Sequence, residues 1–282
     1  TNSVAHGTMV RLVGMSVTAF IGFFLSEMDG ASIGALSLSV GVILEALAIR
    51  YFVRFKIRDI LAEELSNEDK LTLKEISIFY YPLALQSLIT LALQPVVTFF
   101  VGRSLFPLES LATMPVIVGF VFIFRCIGLS CNEVIIALMG EKLEAYDVLK
   151  KFTQILAVLS FGIFSIIAFT PLSGVWFSNV SGLAPELVEF SRVPLMVMVV
   201  VPPLALFMCW KRSLCVVYKR TIYVTWATII EVAATILLLM AGLSWGEVNG
   251  ALAACFAMAA GRTVGALYLG FFGPRESLQK NN

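Results

Sequence analysis

The chain carries eight apolar runs, each long enough to cross a hydrocarbon core of about 30 Å as a helix. They fall at about 8–26, 31–53, 76–103, 110–139, 152–177, 187–210, 221–243 and 248–272. This pattern constrains the fold more than any motif does. Lipid offers backbone N–H and C=O groups no partner, so only helices and closed barrels span it. The runs are too long and too continuous for barrel strands, and the expected fold is all-α, a polytopic transmembrane helix bundle. Composition agrees: 59% of the 282 residues are hydrophobic and 14% charged, with mean hydropathy +0.92, against about 45–50% and about 25% in soluble domains.

Charge in the connections sets the orientation. Arg11 lies at the edge of span one. Arg50, Arg54, Lys56, Arg58, Lys70 and Lys74 follow span two, and Lys142, Lys150 and Lys151 follow span four. Lys211, Arg212, Lys219 and Arg220 follow span six, and Arg275 and Lys280 are in the tail. Thus 16 of the 20 basic residues fall on one side. That side is expected to be cytoplasmic, with both termini on it and the protein multi-pass in the plasma (inner) membrane. The opening TNSVAHG lacks the basic region and cleavage signature of a signal peptide and lacks an initiator Met, so the true start is expected upstream.

The expected organisation is two spans at 1–53, a cytoplasmic loop at 54–75, six spans at 76–272 and a tail at 273–282. The loop carries eleven charges of both signs. Within it Ile57, Ile60, Leu61 and Leu65 recur at helical spacing, which predicts a short amphipathic surface helix. Thr72-Leu73-Lys74-Glu75 reads as a capping box opening span three.

Several classes of chemistry are absent. No basic patch with interleaved aromatics appears, so no nucleic-acid partner is expected. His6 stands without acidic neighbours. Cys126, Cys131, Cys209, Cys215 and Cys255 lie in or beside spans and read as small core residues. The spans contain no Asp and no His, which argues against an intramembrane enzyme. No metal or cofactor is expected beyond H+ or Na+ as a coupling ion. Asn179-Val180-Ser181 is a glycosylation sequon on the outer side of this topology.

The chemistry concentrates in polar residues inside the spans. Span three holds Gln86 and Gln94-Pro95, and span four holds Arg125, Asn132 and Glu133. Glu231 lies near the middle of span seven, and Glu45 and Arg262 are secondary polar positions. A charged group near a bilayer midplane costs about 2.5–3.5 kcal/mol on insertion scales, so it faces a bundle interior or a watery cavity. Arg125 and Asn132 are two helical turns apart and share a face, with Glu133 beside it. Arg125 cannot escape by deprotonating. It reads as an anion ligand, with Glu231 or Glu133 as counter-charge or proton site and the glutamines as orienting groups. The other reading is an internal ion pair that locks helices together. Pro95 removes a backbone donor, and span six holds Pro194 and Pro202-Pro203. Broken helices of this kind mark hinges or sites in transporters, or are static kinks.

Spans one and two resemble spans seven and eight. Gly30-Ala-Ser-Ile-Gly34-Ala35-Leu36 aligns without a gap on Gly246-Glu-Val-Asn-Gly250-Ala251-Leu252. Continued, Glu45 falls on Gly261, next to Arg262. A six-span offset implies two lobes of six. Four earlier spans are then expected to lie outside this sequence, and the two hairpins are expected to superpose about a pseudo-two-fold axis.

These features accompany Tyr81-Pro82-Leu83-Ala84-Leu85, Gln94-Pro95-Val96-Val97, Phe100-Val101-Gly102-Arg103-Ser104-Leu105, Lys150-Lys151-Phe152-Thr153 and Phe169-Thr170-Pro171. With them the chain resembles the multidrug/oligosaccharidyl-lipid/polysaccharide exporter superfamily, most closely the progressive ankylosis transporters, with the multidrug and toxin extrusion exporters alongside. Before Pro95 the pattern expects Arg where this chain has Gln94. The resemblance implies a V-shaped pair of helical bundles that works by alternating access. It implies secondary active export of organic anions or polyphosphates, or of amphipathic small molecules, by a monomer that includes the earlier spans. A lipid-linked-oligosaccharide flippase, which needs a cavity lined by several Arg, and a non-transporting scaffold are the alternatives.

Overall fold

The computed structural model describes residues 2–25, 28–62, 72–139, 145–244 and 249–273. Ten α-helices cover most of them, and no strand occurs among the described residues. Eight helical stretches are long and apolar enough to cross a membrane, which makes the chain a multi-pass membrane protein of all-α class. The chain divides into two units, Thr1–Leu71 and Thr72–Asn282.

The first unit is a hairpin of α1 (Asn2–Leu25) and α2 (Gly30–Ala62). A part-buried charge pair crosses between the helices. Arg11 Nη1 lies 3.1 Å from Glu45 Oε2, and the Thr8 hydroxyl donates to Glu45 Oε1 at 3.2 Å. Arg11 therefore sits within α1, where the sequence places it at the edge of a loop. Glu45 is satisfied locally, as membrane burial requires. Of the surface helix expected in 54–75, the described residues Ile57, Ile60 and Leu61 instead continue α2 to Ala62. Leu65 lies outside the described residues.

The second unit holds α3 (Leu73–Val101), α4 (Pro107–Leu138), α5 (Tyr146–Phe169), the single turn α6 (Leu172–Val175), α7 (Pro185–Val197), α8 (Val201–Val217), α9 (Ile222–Ser244) and α10 (Gly250–Phe272). Thr72 precedes α3, at the position expected for the capping box, and its carbonyl accepts the Ile76 N–H at 3.1 Å; the Glu75 side chain lies outside the described residues. α3 runs unbroken through Pro82 and Pro95, and the Pro82 carbonyl accepts the Thr225 hydroxyl of α9 at 2.9 Å.

Spans five and six have bounds that differ from expectation. α5 begins at Tyr146, so Lys150 and Lys151 belong to its first turns, and it stops at Thr170-Pro171. A π-turn at Trp176–Val180 follows α6 and carries the exposed Asn179. The sixth span extends to Val217, with Lys211 and Arg212 inside the helix. Its end is fixed by backbone geometry. Lys219 adopts φ 54, and the Arg220 N–H reaches back to the Cys215 carbonyl at 2.7 Å, the left-handed closure that ends many helices.

The prolines of span six do interrupt its helical ladder. α7 ends at Val197, a 3-10 turn covers Met198–Val200, and α8 opens with Pro202 and Pro203 in its first turn. Neither proline can donate a backbone hydrogen bond. The Val201 N–H bonds the Met198 carbonyl instead, one residue tighter than an α-turn.

Packing explains where the polar interior lies. One buried cluster includes Ile117, Phe120, Phe164, Phe177 and Leu195, with Phe120 and Phe164 rings at 5.4 Å. A second, towards the other end of α4 and α8, contains Cys131, Ile135, Leu206 and Trp210. Between them α9 and α10 approach closely. A Cβ on Gly261 would meet the Thr235 side chain and the Glu231 carbonyl oxygen, the latter at 2.8 Å; one on Gly265 would meet Glu231 Cβ at 3.0 Å. Small residues let membrane helices pack backbone to backbone, and here they seat Glu231 against α10. The start of α10 is pinned by Asn249, whose side chain caps the Leu252 N–H at 2.7 Å, and by the Ser110 hydroxyl, which accepts the Ala251 N–H at 3.2 Å.

Candidate functional site

Glu231 is the hub of a charged cluster inside the second unit. Its side chain is 8% exposed. Arg262 donates from Nε to Glu231 Oε1 at 2.8 Å, with Nη2 2.6 Å from the same oxygen. Arg212 Nη2 stands 3.9 Å from Oε2 and 3.4 Å from the Thr228 hydroxyl. Arg212 Nε is buried without a hydrogen-bond partner among the described residues. Arg125, on α4, completes the cluster. It is half-buried and has no carboxylate within ion-pair distance and no hydrogen bond among the described residues. Three guanidinium groups, always charged, thus face one carboxylate.

Two cavities border this cluster. The larger, of about 200 Å³, touches Gln86, Arg125, Asn132, Arg212, Val224 and Arg262. The smaller, of about 80 Å³, touches Gln94, Arg125, Met198, Glu231, Thr235 and Arg262. Along each helix the two sets keep one order. Gln86 lies nearer the start of α3 than Gln94. On α8 and its preceding turn Met198 precedes Arg212, and on α9 Val224 precedes Glu231. α3 and α9 run opposite to α4 and α8, so the cavities are stacked along the bundle with Arg125 and Arg262 at the level between them.

The sequence-predicted residues divide as follows. Arg125 and Asn132 share one cavity, as their two-turn spacing requires. Asn132 Oδ1 accepts the Ser213 hydroxyl at 2.7 Å, which fixes the amide across α4 and α8. Gln86 lines one cavity and Gln94 the other. Glu133 does not join them: it is exposed and lies outside both cavities. One residue is about 100° of helix, so adjacency to Asn132 turns Glu133 away from the polar face. Glu231 is not the direct partner of Arg125, because Arg262 and Arg212 already hold its two oxygens. Its geometry is that of a counter-charge. Arg262, treated in the sequence as secondary, is central, whereas Glu45 belongs to the hairpin of the first unit. Pro202 and Pro194 are buried, and the 3-10 turn between them contributes Met198 to the smaller cavity.

Arg212 is the residue sequence reasoning missed. The pair Lys211-Arg212 reads as the basic flank of a span. The signal against that reading is the apolar run Ser213-Leu214-Cys215-Val216-Val217 just beyond it.

Among the described residues no group of three or more His, Cys, Asp or Glu could hold a metal ion, and the five cysteines are free thiols, four of them buried. What the arrangement offers is a surplus of hydrogen-bond-donating positive charge around enclosed space. A guanidinium presents five N–H donors in a planar fork that suits carboxylate and phosphate oxygens. No protein-family model, curated protein or solved structure matches the chain.

Proposed function

We propose that the protein is a secondary active transporter that exports an organic anion or polyphosphate through the membrane by alternating access. One observation carries this reading: Arg125, Arg212 and Arg262 surround the single carboxylate of Glu231 beside two stacked cavities within apolar helices. A purely structural ion pair needs equal charge. A formal excess of two positive charges in a membrane interior is costly unless an anion or water answers it. Arg125 supplies the uncommitted donor, and Asn132 and Gln86 add neutral hydrogen-bonding groups. The broken helix at Met198–Val200 touches the smaller cavity, where a change of helix geometry would alter access. The two-lobe, twelve-helix arrangement, the plasma-membrane location with cytoplasmic termini and an H+ or Na+ coupling ion belong to the same reading.

The test is flux into proteoliposomes containing the purified chain. A dicarboxylate or pyrophosphate should be carried, and Arg125→Ala should abolish that flux while the protein stays folded. Transport confined to a cationic dye and indifferent to Arg125→Ala would overturn the reading. The third arginine also favours a second reading, a flippase for lipid-linked sugars, whose diphosphate linkage would seek the same donors; scrambling of a fluorescent diphosphate lipid separates the two.

A further inference from the structure

A separate cleft of about 250 Å³ opens between α5 and α8, away from the arginine cluster. It is lined by Lys150, Thr153, Gln154 and Ala157 of α5 and by Phe207, Trp210 and Lys211 of α8. We propose that it binds an anionic phospholipid, with the headgroup phosphate between Lys150 and Lys211 and an acyl chain along the apolar part of the cleft.

Four observations lead there. Lys150 lies in the first turns of α5 and Lys211 in the last turns of α8; the helices are antiparallel, so both ammonium groups stand at the same end of the bundle. Among the described residues, the cleft lining holds two lysines and no carboxylate. Lys150 is placed by aromatic packing: Trp210 meets the Tyr146 ring edge-on at 5.1 Å, and Lys150 Nζ lies 5.8 Å from the centroid of the same ring. Below the lysines the surface turns apolar. Phe207 is 40% exposed, and Phe161, one turn beyond Ala157 on α5, is 44% exposed.

The cleft thus has a cationic mouth, an aromatic collar and an apolar floor on the perimeter of a membrane-spanning bundle. Basic pockets between transmembrane helices on the cytoplasmic side recognise anionic headgroups, and Trp favours the headgroup level. The mouth lies at the end of the bundle that the basic connections assign to the cytoplasm. A small soluble anion would use the lysines but not the floor; a zwitterionic lipid would use the floor but would bring its own cation to the mouth.

Native mass spectrometry of the full chain in detergent tests this. The protein is titrated with phosphatidylglycerol, phosphatidylcholine or inorganic phosphate, as wild type, as K150Q/K211Q and as K150R/K211R. Wild type and the arginine variant should retain phosphatidylglycerol, and the glutamine variant should bind it roughly thirty-fold more weakly, the expected effect of two interfacial lysines. Phe207→Ala should weaken lipid retention as well. Equal retention by the glutamine variant, equal retention of phosphatidylcholine, or displacement of the lipid by inorganic phosphate would each overturn the proposal. So would self-association of the chain through this face, reported by a dimer that K150Q/K211Q dissociates.

Discussion

Arg262 places two nitrogens on one oxygen of Glu231, with Nε at 2.8 Å and Nη2 at 2.6 Å from Oε1. The other oxygen is left to Arg212 at 3.9 Å. The carboxylate is therefore divided between two arginines on two helices, and Arg125 has no share of it among the described residues. This asymmetry separates the paired arginines from the one proposed to bind a ligand, and each can be probed alone.

Arg262→Ala should destabilise the protein by about 3–5 kcal/mol, because it leaves a buried carboxylate without its main partner. Arg125→Ala should leave stability nearly unchanged and weaken anion binding about ten- to hundred-fold, the loss of one charge-assisted contact. Thermal unfolding in detergent and a binding titration on the same samples check the pair. Equal destabilisation by both substitutions would place Arg125 in the structural ion pair instead.

The coupling between Glu231 and Arg262 is measurable by a double-mutant cycle. Glu231→Gln with Arg262→Gln should cost less than the sum of the single substitutions, by about 1–3 kcal/mol. Strict additivity would mean that the contact contributes nothing to folding.

Glycine spacing gives a third expectation. Gly261→Ala forces a Cβ towards the Glu231 carbonyl and the Thr235 side chain and should cost about 1–3 kcal/mol, as over-packing does. Gly34→Ala, inside α2 where nothing lies within 4 Å, should not destabilise and should gain up to about 1 kcal/mol from helix propensity. The melting temperatures of the two variants decide the point.

Membrane topology is the fourth. Val180 is 63% exposed and Lys219 is exposed beyond α8; α7 and α8 together form one span between them. In a cysteine-free background, a cysteine at 180 should react with an impermeant maleimide added outside, and one at 219 should react only after permeabilisation. The reverse pattern would invert the orientation read from the basic residues.

The spans were legible because lipid demands long apolar helices, and the polar residues within them were legible because each is costly there. What sequence could not supply was azimuth and neighbours. Glu133 follows Asn132 in the chain yet faces away from it. Arg212 was hidden by a dibasic pair that resembles the end of a span. The glycine pattern at Gly30 and Gly34 matches Gly246 and Gly250, yet Gly34 meets open space while a Cβ on Gly250 would strike Ser104 and Ser110. The closest helix approach belongs instead to Gly261 and Gly265. Equal glycine spacing in the sequence does not give equal contact, which depends on what a neighbouring helix presents.

The short 3-10 segment ahead of α8 also sets an angle. A 3-10 turn advances about 120° per residue against about 100° in an α-helix, so three such residues rotate everything after them by about 60°. Arg212 inherits that rotation. Were Met198–Val200 to relax into α-helical winding, the guanidinium would swing away from Glu231 by about a sixth of a circle, with no change in the α9–α10 hairpin. The proline-bounded segment is in this sense a torsional setting for one charge, and its winding sets whether Arg212 stays beside Glu231 while Arg262 holds the other oxygen.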